Sequence, residues 1–140
     1  MKYLHAAAEK DNQEILSFLL SQENVIIPRD CFKDCTKLSK LRIPDNAVSI
    51  EDSSFANCKS LEEVFIPLTV NYFGDYCFIR CKSLKRVTIY PFTSKKFKME
   101  RGRFAQNKIG HNAFKDCKSL KKIIIPPLIK SIDFEAFENE

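Results

Sequence analysis

The chain has 140 residues and a formal net charge of +5, and 44% of its residues are apolar, including 12 phenylalanines. This length suits one domain or one short repeat array, and no stretch approaches the roughly 20 apolar residues of a membrane-spanning helix. Three glycines leave little material for a phosphate-binding loop, and no paired-carboxylate or activated-nucleophile motif occurs. We therefore expect a non-enzymatic protein without cofactor or metal.

The first 22 residues have apolar side chains at helical spacing. Two such groups, Tyr3 to Ala8 and Ile15 to Leu20, flank a polar break that suits a turn between two short helices. The stretch YLHAAAEKDNQEILSFLL resembles one ankyrin repeat, with Asp11 in place of the turn glycine. One ankyrin unit buries its helices only against neighbours. Residues 1–24 are thus either the end of an ankyrin array or a helical cap on the first coil of a repeat array.

A thirteen-residue phrase recurs from Phe32 onward. It reads FKDCTKLSKLRIP from Phe32, FANCKSLEEVFIP from Phe55, FIRCKSLKRVTIYP from Phe78 and FKDCKSLKKIIIP from Phe114, and a further copy opens at Phe137. Successive phenylalanines are 23 residues apart, except for a step of 36 where 13 residues are inserted in the third copy. A fixed period in the twenties with aliphatic residues at fixed offsets is typical of a leucine-rich solenoid, whose coils bury their apolar faces against each other.

Each copy predicts one short strand. Val64 and Ile66 are two residues apart and therefore point to the same side of a strand. Their equivalents are Leu41 and Ile43, Val87 and Ile89, and Ile123 and Ile125. We expect these strands to form a parallel sheet with a spacing of about 4.8 Å, each ended by proline, which lacks a ladder N–H. Later inward positions are Val48, Val70 and Ile129, then Ile50, Tyr72, Ile109 and Ile132, and the phenylalanine fills the middle of the coil.

The cysteines follow the same period. One per copy recurs at Cys35, Cys58, Cys81 and Cys117, where a free thiol acts as a small hydrophobe. Cys31 and Cys77 align instead with Ser54, Ala113 and Ala136, in a slot for a small residue. This alignment disfavours reading the two C-x3-C pairs as zinc clamps. We expect six free thiols, although the stacking distance also permits disulfides between coils.

The residues that flank the inward positions of each strand predict a binding surface. They point to the outer, concave side of the sheet and are Lys40, Arg42, Glu63, Phe65, Arg86, Thr88, Lys122 and Ile124. In register they form one column of charges and a second column with exposed Phe65 and Ile124. Exposed apolar residues rimmed by charge are typical of protein-binding faces. A solenoid sheet can also carry such residues without a partner.

The insertion at residues 91–108 predicts a second surface. Its cations are Lys95, Lys96, Lys98, Arg101, Arg103 and Lys108, against the single acid Glu100, so that it holds the whole net charge of +5. Phe92, Phe97 and Phe104 are interleaved with them. One interpretation is a protruding basic-aromatic loop that meets an acidic partner, an anionic lipid surface or nucleic acid. The other is a solvated insertion without a ligand.

The stretch Ile109 to Leu120, IGHNAFKDCKSL, resembles the BspA-like leucine-rich repeat consensus I-G-x-x-A-F-x-x-C-x-S-L-x-x-I-x-I-P. The resemblance covers about residues 25–140. It implies a curved right-handed solenoid that binds macromolecules, often at the surface of bacteria and protists, and it implies no catalytic residues.

We therefore predict an α/β repeat fold with two parts: an ankyrin-like helix pair at residues 1–24 and a leucine-rich solenoid at residues 25–140. The predicted function is a protein-interaction module. The alternatives are a fragment of a cell-surface adhesin and an anion- or nucleic-acid-binding protein acting through the basic loop. The amino terminus becomes polar too soon for a secretory signal, which favours the cytoplasm, or the cell surface if the chain is part of a longer protein.

Overall fold

The protein forms a solenoid of short strands. The computed structural model describes residues 25–90, 107–125 and 129–139. In chain order its strands are β1 (Val25–Ile27), β2 (Lys40–Arg42), β3 (Ala47–Ile50), β4 (Glu63–Pro67), β5 (Tyr72–Phe73), β6 (Arg86–Tyr90), β7 (Lys108–Ile109) and β8 (Ser131–Ile132). Between them the chain makes turns and irregular connections. The predicted helix pair at residues 1–24 lies outside the described residues.

The strands form two parallel sheets rather than the single predicted sheet. The predicted one contains β2, β4 and β6 in that order, and the other contains β1, β3, β5, β7 and β8. The fourth copy adds only an isolated parallel bridge to the smaller sheet, between Val87 and Ile123. The larger sheet uses the inward positions that come after the proline turns. Each complete copy therefore contributes residues to both sheets, and the connections between the two sheets complete the coil.

The register of both sheets follows the sequence period. In the smaller sheet Leu41 pairs with Val64, which pairs with Val87. In the larger sheet the prediction for the third coil is wrong by one position. The sequence pattern predicts that Tyr72 points inward, but Phe73 is the residue that pairs with Ile50 and with Ile109. A shift of one residue moves a side chain to the opposite face of a strand. Tyr72 is accordingly half-buried, whereas Phe73 is fully buried.

The centre of the solenoid is a ladder of aromatic rings. Neighbouring rings have centroids 5.0 to 5.3 Å apart and planes within 10° of each other, in the order Phe32, Phe55, Phe78, Phe114 and Phe137. The thiols form a second ladder, in which Cys58 and Cys81 donate to the phenylalanine carbonyls of the preceding coil at 3.2 Å. All six cysteines are free and buried. The two ladders bury one phenylalanine and one cysteine in each of the first four coils.

The connection that contains the phenylalanine is not helical, and the described residues do not support the α/β class. Successive N–H groups there alternate between two kinds of acceptor. Phe32 donates to the Ser54 carbonyl of the next coil at 2.7 Å, as does Asp34 to Ala56 at 2.9 Å, whereas Cys35 donates to Phe32 within its own coil at 3.2 Å. An α-helix would satisfy every such group within one segment. Here backbone hydrogen bonds continue along the solenoid axis around the whole coil.

Candidate protein-binding face

The smaller sheet brings the predicted surface residues together on its outer side. We call this surface the sheet face and define it as Lys40, Arg42, Glu63, Phe65, Arg86, Thr88, Lys122 and Ile124. Lys40 pairs with Glu63, which pairs with Arg86, and Arg42, Phe65 and Thr88 form the parallel row. The bridge from Val87 to Ile123 continues both rows to the fourth copy. The two predicted columns are therefore present, on strands whose inward residues are buried.

The charged column contains one close ion pair in its described part. The Nζ atom of Lys40 lies 3.9 Å from Oε2 of Glu63, and the lysine side chain is largely exposed. Exposed pairs of this kind contribute about 0–1 kcal/mol to stability. Arg86 and Lys122 have no ion pair within the ranges that the structure describes. The column thus changes from alternating charge at its start to like charge at its end.

The apolar column presents two side chains of different exposure. Phe65 is half-buried, whereas Ile124 is 65% exposed. A second aromatic residue, Tyr90, crosses the sheet from β6, and its hydroxyl donates to the Ile43 carbonyl beyond β4. The guanidinium carbon of Arg42 lies 4.1 Å from the centroid of the Tyr90 ring, which is a cation–π contact. Burial raises the pKa of Tyr90, and the charge of Arg42 partly opposes that shift.

The sequence reasoning missed Tyr90, although a signal was present. Tyr90 pairs in register with Pro67, so it occupies the position at which the other copies place the proline that ends the strand. The third copy delays its proline to residue 91. A tyrosine can continue the ladder where proline cannot, and its side chain is long enough to reach two strands away. The tyrosine in place of a strand-ending proline was therefore the feature from which Tyr90 could have been identified.

The structure describes only the end of the predicted basic loop. Lys95, Lys96, Lys98, Arg101 and Arg103 lie outside the described residues. Lys108, at the end of the insertion, is half-buried on β7 and pairs with Tyr72.

Carboxylates on another corner of the solenoid are occupied by structural hydrogen bonds. Oδ1 of Asp52 accepts from the Tyr72 hydroxyl at 3.1 Å and from the Asp75 N–H at 2.9 Å. Oδ1 of Asp75 accepts from the His111 N–H at 2.8 Å in the next coil. Burial and the Asp52 charge raise the pKa of Tyr72. This corner holds successive coils together and leaves those carboxylate oxygens engaged.

His111 has two carboxylate neighbours in the last described coil. Its Nδ1 lies 3.4 Å from Asp133, and its Nε2 lies 3.4 Å from Glu135. Among residues 25–90, 107–125 and 129–139, no group of three His, Cys, Asp or Glu side chains is arranged to hold a metal ion. The same residues include no helix long and apolar enough to cross a membrane.

Known proteins resemble this chain over most of its length. The family described as BspA type leucine rich repeat region matches residues 10–139 in six copies. A crystal structure of a leucine-rich repeat protein from Bacteroides ovatus ATCC 8483 is 29% identical and superimposes with a TM-score of 0.54 over 71% of this chain. The superimposed part covers 25% of the length of that protein. A comparison with curated proteins found no match.

The family match begins inside the segment that resembles an ankyrin repeat, and the comparisons give that resemblance no support. Counting back 23 residues from Phe32 places Ile15, Phe18 and Leu20 at the offsets of the strand leucine and its two aliphatic followers. These residues are consistent with one further copy of the repeat. That copy has Glu9 at the phenylalanine position, so a search for the recurring phenylalanine misses it. With 130 of its residues matched, the chain belongs to the BspA-type leucine-rich repeat family.

Proposed function

We propose that the chain is a non-enzymatic protein-interaction module that binds its partner through the sheet face. The observation that supports this proposal most strongly is that exposed Ile124 and half-buried Phe65 lie beside cations on the outer side of the smaller sheet and its bridge to the fourth copy. Leucine-rich repeat proteins generally mediate protein interactions, and their fold is generally not catalytic. The proposal assigns to this chain the usual role of its family.

The mechanism we propose is rigid display. The inward neighbours of Phe65, which are Val64 and Ile66, are both fully buried and fix the strand from below. The Tyr90 hydroxyl bond and the Arg42 contact restrain Arg42 of the face and the adjoining Tyr90 before any partner arrives. Restrained side chains lose less conformational entropy on binding, which improves affinity for a given area. Phe65 and Ile124 would be the apolar anchors and the surrounding cations the polar rim.

The experiment compares two double variants in a pull-down from an extract of the source cell. The test variant is Phe65→Ala with Ile124→Ala. The matched control is Ile26→Ala with Phe134→Ala, which removes two exposed apolar side chains elsewhere. Partners are identified by mass spectrometry, purified and rebound in a two-component assay. We expect the test pair to weaken rebinding by about ten-fold or more and the control pair to have little effect. Equal effects of the two pairs would contradict the sheet face as the site.

The family also supports a second proposal, that the chain is part of a cell-surface adhesin. BspA-type proteins are often surface-associated, and the similar Bacteroides ovatus protein is longer than this chain, because the superimposed part is 71% of this chain but 25% of that one. A signal peptide upstream or a membrane anchor downstream in the genomic sequence would support this proposal. Surface labelling of intact source cells provides the direct test, because an entirely cytoplasmic protein would stay unlabelled.

We also propose that the basic-aromatic insertion contributes to binding, through a nucleic acid or an anionic surface. Its net charge of +5 equals that of the whole chain. Replacement of residues 92–106 by a short proline turn, which keeps Lys108 on β7, should abolish such binding while preserving the circular dichroism spectrum. Retention of the same anionic ligand by that variant would exclude this role.

The division into residues 1–24 and 25–140 is likewise a proposal, which limited proteolysis can test.

A further inference from the structure

Six exposed cations lie together on the third and fourth coils. We call them the basic block and define it as Lys82, Lys85, Arg86, Lys118, Lys121 and Lys122. The chain segments that contribute them, residues 80–90 and 115–125, include a single acid, Asp116, which is buried. Arg86 and Lys122 also belong to the sheet face, so the block is continuous with it. Within these two segments the surface charge is therefore positive, and the nearest acids are Glu62 and Glu63 of the second coil.

The register places like charges directly beside each other. The bridge from Val87 to Ile123 sets Arg86 next to Lys122, and the same offset sets Lys85 next to Lys121. Like charges at opposed positions of neighbouring strands destabilise a sheet. Within the described residues the block has one ion pair, between Lys85 and Glu62 at 3.9 Å, and both side chains are largely exposed. The block therefore costs the fold some stability and leaves ammonium groups available for external carboxylates.

A pocket with both apolar and polar lining opens beside two of these lysines. Its volume is about 190 Å³, and its lining includes Leu120, Ile123 and Phe137 together with Lys121 and Lys122. A cavity of about 150 Å³ can hold a benzene molecule. The pocket is therefore large enough for one aliphatic or aromatic side chain. A ligand that enters it would have its flanking groups within reach of two cations.

We propose that the basic block and this pocket bind an extended acidic peptide of a protein partner. One apolar side chain of the peptide occupies the pocket, and carboxylates on either side of it contact Lys121, Lys122 and their neighbours. The inference rests on the proposed function and specifies the chemistry of the partner. A nucleic acid fits less well, because stacking proteins offer exposed aromatic rings to bases. The aromatic rings at this site are Tyr90, which Arg42 covers, and Phe137 of the pocket, which is stacked on Phe114.

The test measures binding of defined probes to the full chain by fluorescence anisotropy. The main probe is a labelled peptide of about ten residues in which glutamates surround a central leucine. Three comparison probes separate the contributions: the same peptide with glutamine for glutamate, the same peptide with glycine for leucine, and single-stranded DNA of equal charge. The test variant is Lys121→Glu with Lys122→Glu. The matched control, Lys33→Glu with Lys37→Glu, reverses two exposed lysines of the first coil.

We expect the main probe to bind most tightly, and we expect both substituted peptides and DNA to bind at least about ten-fold more weakly. The Lys121 and Lys122 reversal should weaken binding of the main probe by about ten-fold or more, and the control reversal should change it less than about three-fold. Circular dichroism and thermal unfolding verify that both variants are folded. A milder pair, Lys121→Gln with Lys122→Gln, replaces the test variant if charge reversal prevents folding.

Three results would overturn the inference. They are equal losses in the test and control variants, tighter binding of DNA than of the main peptide, and a self-association of the chain that the Lys121 and Lys122 reversal abolishes while no probe binds. The first indicates non-specific attraction, the second a nucleic-acid site and the third a second copy as the occupant. The proposed function is judged separately by the Phe65→Ala with Ile124→Ala variant, because Lys122 belongs to the sheet face as well as to the basic block.

Discussion

Two backbone positions adopt a left-handed conformation in each of four successive coils. The first recurs at Asp30, Ser53, Tyr76 and Asn112, with φ between 55° and 63°, and the second at Asp34, Asn57, Arg80 and Asp116, with φ between 58° and 62°. Asn and Asp tolerate this conformation better than other residues with a Cβ. The third coil departs from that preference twice, at Tyr76 and Arg80. Each of these two residues should therefore store backbone strain.

Substitution of Arg80 by Asn should stabilise the protein. Asn57 holds the equivalent position in the second coil and donates from Nδ2 to Asp34 at 2.7 Å. The change relieves left-handed strain and should raise the free energy of unfolding by about 0.5–1 kcal/mol. Urea unfolding provides the measurement. The control is Lys82→Asn, an exposed neighbour with ordinary backbone geometry, and a gain no larger than that of the control would contradict the strain argument.

Two cysteines in the small-residue slot make stability depend on alkaline pH. Burial raises the pKa of the Cys31 thiol to about 11, and burial also raises the pKa of Cys77. The unfolded chain releases these protons near pH ~8.5. Above that pH the folded state binds more protons than the unfolded state, so the free energy of unfolding falls as pH rises. The contribution is complete below about pH 8.5 and is lost as pH rises through the folded pKa.

The double variant Cys31→Ala with Cys77→Ala should make this alkaline decline shallower. Alanine fits the slot, since Ala113 and Ala136 occupy it fully buried in later coils. At neutral pH the free energy of unfolding should change by about 1 kcal/mol or less. Urea unfolding under reducing conditions, repeated from about pH 7 to about pH 10, measures both effects. An unchanged slope would show that other groups, such as Tyr72 and Tyr90, dominate the alkaline dependence.

At the level of the structural element, the aromatic ladder predicts a graded cost of truncation. Phe55 is fully buried between two stacked rings, so Phe55→Ala should lower the free energy of unfolding by about 3–5 kcal/mol. Phe137 is 36% exposed and, in the described part of the chain, stacks on Phe114 alone. Phe137→Ala should cost about 1–2 kcal/mol. Chemical denaturation compares the two variants, and similar costs would refute the ladder as the central element of the core.

The sequence predicted the elements whose residues recur at fixed offsets. The smaller sheet, the aromatic ladder and the eight residues of the sheet face all follow from a period of 23, because a constant step fixes which residues become neighbours. The second sheet was missed because its strands are only two to four residues long, although the inward positions that they contain recur in the sequence. The turn hydrogen bonds were also missed, because they depend on left-handed residues that differ in type between coils and include Asp, Ser, Tyr and Arg.

Sequence reasoning also missed parts of the candidate site. Tyr90 and the basic block depend on how coils differ from each other, whereas the period describes what they share. On the second coil, Glu63 lies beside Lys40 of the first coil and Glu62 lies beside Lys85 of the third. The fourth coil has Lys121 and Lys122 at the positions equivalent to these glutamates. The contrast appears only after the coils are placed in register. Specific binding surfaces on a repeat scaffold are therefore found by comparing aligned copies position by position.

For the molecule as a whole, stacking makes stability depend on position along the solenoid. Each coil contacts only its neighbours, so a coil whose side chains are less covered by a neighbour is stabilised less. Burial follows this expectation in the described residues. Leu61, Val64 and Ile66 of the second coil are fully buried, whereas Ile132 and Phe134 of the last described coil are 45% and 89% exposed. Local opening should therefore begin at this coil more readily than in the middle.

Hydrogen exchange should reveal this gradient. Amides of residues 61–67 lie between two coils and should exchange mainly through global unfolding, whereas amides of residues 129–139 should exchange through local opening that costs less by about 2 kcal/mol or more. Mass spectrometry of peptides from native protein, at several low urea concentrations, measures both free energies and their dependence on denaturant. The Phe137→Ala variant should accelerate exchange of the last coil while leaving residues 61–67 nearly unchanged. Uniform protection of both segments, equally reduced by Phe137→Ala, would instead show that the solenoid unfolds as one cooperative unit.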